Sequence, residues 1–258
     1  MLQLEPRQTP GADVEPAGPG HWRLSLPAGP AGHYRWAQLD DYLHLPRSRF
    51  RWRPPLYLDL RARASAPSLP GTWGFGLWND PFGAGLGLGG AARRLPALPQ
   101  AAWFFFASPP NHLALRDDHP AQGFLAATFA STAIPSAALA LAAPALPLLA
   151  WPAAARPLRR AARRLVREDA THLPLDPTAW HAYRLEWGPE AVRFWVDGRL
   201  AFETPVVPRA PLGLVLWIDN QYAAFPPAGR VRFGTLPNPE PAWVEVAEVE
   251  VAAASCRV

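Results

Sequence analysis

The chain has 258 residues, a formal net charge of +4, and 49% hydrophobic residues that include 12 Trp and 12 Phe. This apolar content excludes disorder as a description of the whole, and one large domain is the simplest reading of the length. The single cysteine, Cys256, excludes an intramolecular disulfide or a cysteine metal knuckle, and the small net charge excludes broad nucleic-acid binding without a local basic patch.

All 25 basic residues are Arg, and Ile occurs only at Ile134 and Ile218, a bias that fits GC-rich coding rather than function. Residues 1–20 are rich in Pro, Gly and acidic side chains and hold no apolar h-region. They are expected to form a flexible leader without a secretory signal, which makes a cytoplasmic location the default. The domain is expected to span 21–258.

From His21 the chain alternates short apolar runs with turn signals. The expected strands are His21–Leu26, Arg35–Leu39, Tyr57–Ala64, Thr72–Trp78, Trp103–Ala107, His112–Leu115 and Gly123–Ala130, then Trp180–Trp187, Val192–Val196, Leu200–Glu203, Leu212–Ile218, Arg230–Phe233 and Trp243–Val251. Many short strands separated by turns predict an all-β antiparallel sandwich or barrel. Several runs alternate with period two: Leu58, Leu60 and Ala62 oppose Asp59, Arg61 and Arg63, and Tyr183, Leu185 and Trp187 oppose Arg184 and Glu186. Asp197-Gly198 predicts a two-residue hairpin.

Between the two groups of strands, residues 133–170 read as a helical insertion. No side chain from Pro120 to Ala155 is charged, and Pro135, Pro144 and Pro147 predict broken helices rather than one spanning helix. Next, Leu158, Ala161, Ala162, Leu165 and Val166 fall at helical spacing, with Arg159, Arg160, Arg163, Arg164 and Arg167 opposite. Leu158 and these five arginines are candidates to face an anionic membrane surface; the alternative is a surface helix whose arginines are solvated. Nucleic acid is not expected from so short a patch.

The segment Trp180–Gly198 carries a WHxYxxEW strand followed by a strand ending in Val-Asp-Gly, and the chain closes on a valine-rich strand at Trp243–Val251. These elements resemble the late strands of glycoside hydrolase family 16 and related concanavalin A-like domains. The resemblance covers about the last 80 residues well, extends to Arg35–Trp78 and fails over 131–171. It implies a concanavalin A-like jelly roll. Family 16 enzymes use a Glu-x-Asp-x-x-Glu strand, and retaining hydrolysis needs two carboxyls about 5–5.5 Å apart. The strand at the corresponding place in the order is Ala101–Ser108, which has no carboxylate. That reaction is therefore not expected.

Trp78, Asn79, Asp80, Trp103, Phe105, Trp217, Asp219 and Asn220 are the candidate ligand-binding residues, because small-molecule sites combine aromatic walls with a few fixed polar groups. Asn and Asp in such positions also commonly do no more than make turns. The expected ligand is a carbohydrate or an amphipathic small molecule on one sheet face, held without catalysis. A divergent hydrolase would need relocated carboxylates, with Asp80 and Asp219 as the candidate catalytic pair. A peripheral membrane protein docking through 133–167 is the third reading. Gly85–Gly90 matches GxGxxG, but no strand-turn-helix context supports a phosphate loop. The seven histidines lack metal-ligand spacing, His181 reads as structural, Arg116-Asp117-Asp118 reads as a solvated turn, and no cofactor or metal is expected.

Overall fold

The computed structural model describes residues 2–81, 94–117, 121–142, 151–229 and 231–253, with Ala142 described by its backbone alone. The Gly85–Gly90 motif, Pro144, Pro147 and Cys256 lie outside the described residues.

In chain order the elements are β1 (Glu5–Gln8), β2 (Asp13–Gly18), β3 (His21–Leu26), β4 (Trp36–Asp40), β5 (Leu56–Ala64), β6 (Thr72–Trp78), β7 (Ala101–Ala107) and β8 (Gly123–Ser131). Helices α1 (Ser136–Ala142) and α2 (Pro152–Leu165) follow. Then come β9 (Val166–His172), β10 (His181–Trp187), β11 (Val192–Val196), β12 (Arg199–Thr204), β13 (Gly213–Asp219), β14 (Gln221–Ala224), β15 (Arg232–Thr235) and β16 (Ala242–Ala253). Two seven-stranded antiparallel sheets are formed, in the orders β1-β4-β13-β6-β7-β8-β9 and β12-β11-β10-β5-β16-β3-β2, with β14-β15 as a separate ribbon.

Side-chain alternation places the core between the sheets. Trp73, Phe75 and Leu77 of β6, and Phe104 and Phe106 of β7, are buried against Tyr183, Leu185 and Trp187 of β10 and Phe194 of β11. Tyr183 sits edge-on to Phe75 and Phe104, each at 4.9 Å between ring centres, so the two sheets are joined by aromatic contacts worth about 0.5–1.5 kcal/mol each beyond area burial. The Asp197-Gly198 hairpin forms as expected, both residues having positive φ, at 50° and 73°. His181 is structural, its Nδ1 lying 2.6 Å from Asp197 Oδ2 and its Nε2 3.0 Å from the Asp176 carbonyl.

The structure corrects three expectations. Residues 1–20 are not a loose leader: β1 pairs with β4 and β2 with β3 as edge strands of the two sheets, and Val14 is buried. Edge strands tolerate proline, so Pro6 and Pro16 sit within β1 and β2 without preventing their pairing. The helical insertion ends at Leu165, and 166–172 instead pairs with β8 along its whole length. His112–Leu115 is not a strand, and His112 makes only a single bridge, to Ala224.

Two buried carboxylates stitch the framework. Glu245 of β16, with its side chain 3% exposed, accepts from Arg23 of β3 at 2.6 Å and from Arg63 of β5 at 2.7 Å, tying three adjacent strands. Burial opposes its ionisation, but the two guanidiniums prevail and hold its pKa below the usual carboxylate value. Asp80, beyond the end of β6, is paired with Arg94.

Candidate functional site

One face of the sheet containing β13, β6, β7 and β8 points away from the sandwich core. Its residues follow from period two and register. Trp217 on β13, Gly74 on β6, Phe105 on β7 and Leu125 on β8 form one cross-strand row, and Val215, Gly76, Trp103 and Ala127 form the next. A third row joins Gly213, Trp78, Ala101 and Phe129.

The two central glycines make room for flat rings. A Cβ on Gly74 would lie 2.4 Å from the Phe104 carbonyl oxygen and 2.9 Å from the Trp217 ring, so the indole is seated on bare backbone. Trp217 stacks on Trp78 at 6.5 Å and 7°, packs on Trp103 at 5.4 Å and on Phe105 at 6.0 Å. The Trp78 N–H donates to Tyr42 Oη at 2.7 Å and the Trp217 N–H to Thr72 Oγ1 at 3.0 Å, so both indoles present ring faces rather than donors.

Over this floor lies a roof built from α2 and two loops, and between them is a cleft of about 520 Å³. Arg159 of α2, 9% exposed, holds the roof together. It donates to the carbonyls of Ala114 (3.0 Å), Arg116 (2.9 Å) and Phe225, and pairs with Asp117 at 3.1 Å. Glu168 on β9 adds a second tie by accepting the backbone N–H of Leu115 at 3.0 Å and that of Arg116. Ala155 and Ala162 present small surfaces inward, and Ala155 is buried.

At one end of the cleft stands Asp219, the last residue of β13, in register with Trp36 on one side and Thr72 on the other. Its Oδ1 accepts from the Thr72 hydroxyl at 3.0 Å, the Thr72 N–H at 3.3 Å and the Gln221 N–H at 3.0 Å. Burial pushes the carboxyl up to about 7, those hydrogen bonds opposing the shift without cancelling it. Tyr34, beside it, is raised well above the usual phenol value, chiefly by burial and also by the Asp219 charge. The backbone of Gly71 passes directly against this corner. Its φ is +96°, and a Cβ there would meet the Asp219 carbonyl oxygen at 2.1 Å, so only glycine fits.

Of the residues singled out in the sequence, Trp78, Trp103, Phe105, Trp217 and Asp219 line the same cleft. Asn79, Asp80 and Asn220 do not. Asn79 fixes a turn, donating to the Leu98 carbonyl at 2.9 Å and accepting from the Gln100 N–H at 3.0 Å. Asn220, fully buried, accepts from the Arg35 N–H and donates to the carbonyls of His33 and Leu236. Its side chain is committed to joining loops.

Asp80 and Asp219 are also not a pair. Asp219 is level with Thr72 at the start of β6, whereas Asp80 follows Trp78 at its end, a separation of about 20 Å at ~3.3 Å per residue. That exceeds both glycosidase carboxyl spacings. Glu168 and Asp169 also line the cleft, but β9 lies four strands from β13, or about 19 Å at ~4.8 Å per strand.

The α2 arginines divide differently from the expectation. Arg159 is not a lipid-facing residue but the buried clamp of the roof, and Leu158, expected with it to face a membrane, is 49% exposed and also reaches the cleft. The inward stripe is Ala155, Arg159, Ala162 and Val166, which keeps Ala162 and Val166 of the apolar pattern and adds Ala155 and Arg159. Arg163 pairs with Asp117 at the surface, so Arg116-Asp117 is not simply solvated, while Arg160, Arg164 and Arg167 are exposed. Among the described residues no helix is long and apolar enough to cross a membrane.

Sequence reasoning missed Tyr34, Trp36, Thr72, Leu125 and Phe129, which also line the cleft. The period-two pattern Leu125, Ala127, Phe129 was the available signal. For Tyr34 no local signal existed, because a loop carries it.

No protein-family model matches the chain, and no curated protein does. Among solved structures it is similar to the legume lectin-like domain from Entamoeba histolytica, at 7% identity over 98% of this chain and 90% of that one, with a TM-score of 0.50. A Bacillus licheniformis β-glucanase matches at 11% identity, 96% and 92% coverage and TM-score 0.47. A glycoside hydrolase family protein from Mycobacterium thermorestibile matches at 14%, 90% and 76%, and 0.48. Likeness at such identities concerns the fold alone. With its two seven-stranded sheets, the chain is a concanavalin A-like jelly roll, as its late strands suggested.

Proposed function

We propose that this protein is a non-catalytic binding module whose cleft takes a small molecule with a large apolar body. The observation that carries this reading is the aromatic floor of Trp78, Trp103, Phe105 and Trp217 beneath the roof of α2. The N–H groups of Trp78 and Trp217 are taken up by Tyr42 and Thr72, so these rings offer area and faces rather than hydrogen bonds, and the buried Trp103 N–H has no partner among the described residues. A carbohydrate would need several free donors and acceptors beside the rings; here Thr72, Glu168 and Arg159 are already engaged with the protein's own groups. An apolar β7, Asp219 about 19 Å from β9, and a neighbouring Glu168 and Asp169 already engaged by Leu115, Arg116 and Thr204 support binding over glycoside hydrolysis.

The test is titration of tryptophan fluorescence with single-chain amphiphiles below their micelle concentrations, beside a glycan array. Saturable quenching by amphiphiles that weakens at least tenfold in Trp217→Ala is expected. Glycan binding without amphiphile binding would overturn the apolar reading in favour of a sugar site, and binding of neither would overturn both.

A second reading rests on the surface beside the cleft, where Trp151 and Leu158 are exposed at 60% and 49% along α2, next to the exposed Arg160 and Arg164. Such a surface suits contact with an anionic bilayer, from which an amphipathic ligand would be drawn. Flotation with phosphatidylserine vesicles that is unchanged by Trp151→Ser combined with Leu158→Ser would eliminate it.

A further inference from the structure

We propose that the Asp219 end of the cleft receives a cationic head group of the alkylated ammonium type, an inference that rests on the apolar-ligand reading of the same cleft. The first ground is a missing internal partner. In this arginine-rich chain the other buried carboxylates are each under the influence of a guanidinium: Asp40 pairs with Arg7 at 3.4 Å, Asp80 with Arg94, and Glu245 with Arg23 and Arg63, while Arg51 acts on Asp41. Asp219 is buried as well, yet among the described residues it makes no ion pair, and only hydrogen bonds from Thr72 and Gln221 oppose the effect of burial. A buried carboxylate without an internal cation is costly to ionise, and an incoming cation relieves that cost.

The second ground is the surroundings. Trp36 stands directly across from Asp219 in the β4–β13 register, Trp217 is two residues back on the same face, and Tyr34 and Tyr222 line the same cleft. Aromatic faces beside a carboxylate are the surroundings in which alkylated ammonium groups are bound, because ring quadrupoles attract a cation whose methyl groups also prefer an apolar contact. Oδ1 is saturated by three donors, and Oδ2 accepts no hydrogen bond from a described residue. A head group at this corner leaves the tail to run across Trp217, Phe105 and Trp103. The positive net charge of the chain bears on the test as well, since non-specific attraction would favour anions, so a preference for cations reports the site itself.

The experiment compares ligands of one chain length on the intact protein at about pH 8: decyltrimethylammonium, the overall uncharged decyldimethylamine N-oxide, and decyl sulfate. Binding of the trimethylammonium amphiphile on the order of tenfold tighter than the N-oxide, and tighter still relative to the sulfate, is expected. Asp219→Asn should reduce that preference, read as the ratio of the two affinities in the same variant, to within about twofold. Because Asp219 also anchors Thr72 and Gln221, the variant could fail to fold, in which case the wild-type comparison of head groups decides alone. Equal binding of the three ligands by the wild-type protein, or a preference unchanged in a folded Asp219→Asn, overturns this inference and leaves the apolar cleft standing. Absence of binding by all three overturns both.

Discussion

Replacing Arg159 by Met removes the guanidinium while keeping most of the apolar stem, and it tests whether this one side chain holds the roof over the cleft. Three carbonyls, those of Ala114, Arg116 and Phe225, lose a charged donor, and Asp117 loses one of its two arginine partners. Hydrogen bonds to charged groups contribute about 1.5–3 kcal/mol each, but carbonyls that reach water when the roof lifts recover much of this. A local loss of about 3 kcal/mol is therefore expected, less than the sum of the three. At ~1.4 kcal/mol per factor of ten, amide protection should fall on the order of a hundredfold in α2 and in residues 111–117. Strands β5 and β10 pair within the other sheet and make no contact with Arg159, so their slow exchange should not change. Native-state hydrogen exchange by mass spectrometry reads both regions in one experiment, with the exposed Arg160→Met as the control. A uniform loss of protection through the sandwich would refute the reasoning, because it would make Arg159 a determinant of the global fold. No loss in α2 would refute it as well, by placing the roof's stability in the Glu168 ties alone.

Glu245→Gln should destabilise the whole domain by about 3 kcal/mol, since it leaves Arg23 and Arg63 without their shared anion; urea denaturation at neutral pH measures this. Because the folded pKa of Glu245 lies below its unfolded value, its contribution is present above the unfolded pKa and is lost as pH falls through the folded one, so the gap between wild type and Glu245→Gln should narrow in acid. Asp219 has the opposite sign. Its folded pKa of about 7 exceeds the unfolded value of 3.8, so the folded state holds the proton longer and stability should fall as pH rises from about 4 to 7. The groups around it, Tyr34, Thr72 and Gln221, do not titrate in that window, and Asp219→Asn should make the decline in a pH series of denaturation midpoints shallower, leaving the part that comes from Asp41, which burial raises to about 6. Gly74→Val meets the Phe104 carbonyl oxygen as well as the Trp217 ring, so it should lower the thermal midpoint and abolish quenching by amphiphiles; retained quenching in the folded variant would show that the floor is not the binding surface.

The sandwich was legible because its signals are local. Leu58-Asp59-Leu60-Arg61-Ala62 alternates so strictly that one face can only be core, and Asp197-Gly198 can only turn. The resemblance of Trp180–Gly198 to concanavalin A-like domains added the topology that alternation cannot supply. The aromatic members of the cleft, Trp78, Trp103, Phe105 and Trp217, were also within reach, since each occupies an alternate position of an apolar strand.

What failed was every judgement that depended on partners distant in sequence. Whether Asn79, Asp80 and Asn220 bind or merely turn is decided by what stands opposite them: Gln100, Arg94 and Arg35 are respectively 21, 14 and 185 residues away. Residues 5–18 looked like a tail because proline counts against a strand, and only their pairing with β4 and β3 makes them edges. On α2 the apolar spacing set Leu158 and Arg159 on opposite faces, with Arg159 on the outward one. Three loop carbonyls that no local pattern announces reversed the order, because a guanidinium that satisfies them gains more on the inside than a leucine would. By itself the sequence determined which strand faces are apolar and where the chain must turn. The tertiary structure alone decided which polar groups are spent on the protein and which, like Asp219, have no counter-charge among the described residues, because hydrogen bonds and ion pairs depend on distances that only the folded chain sets.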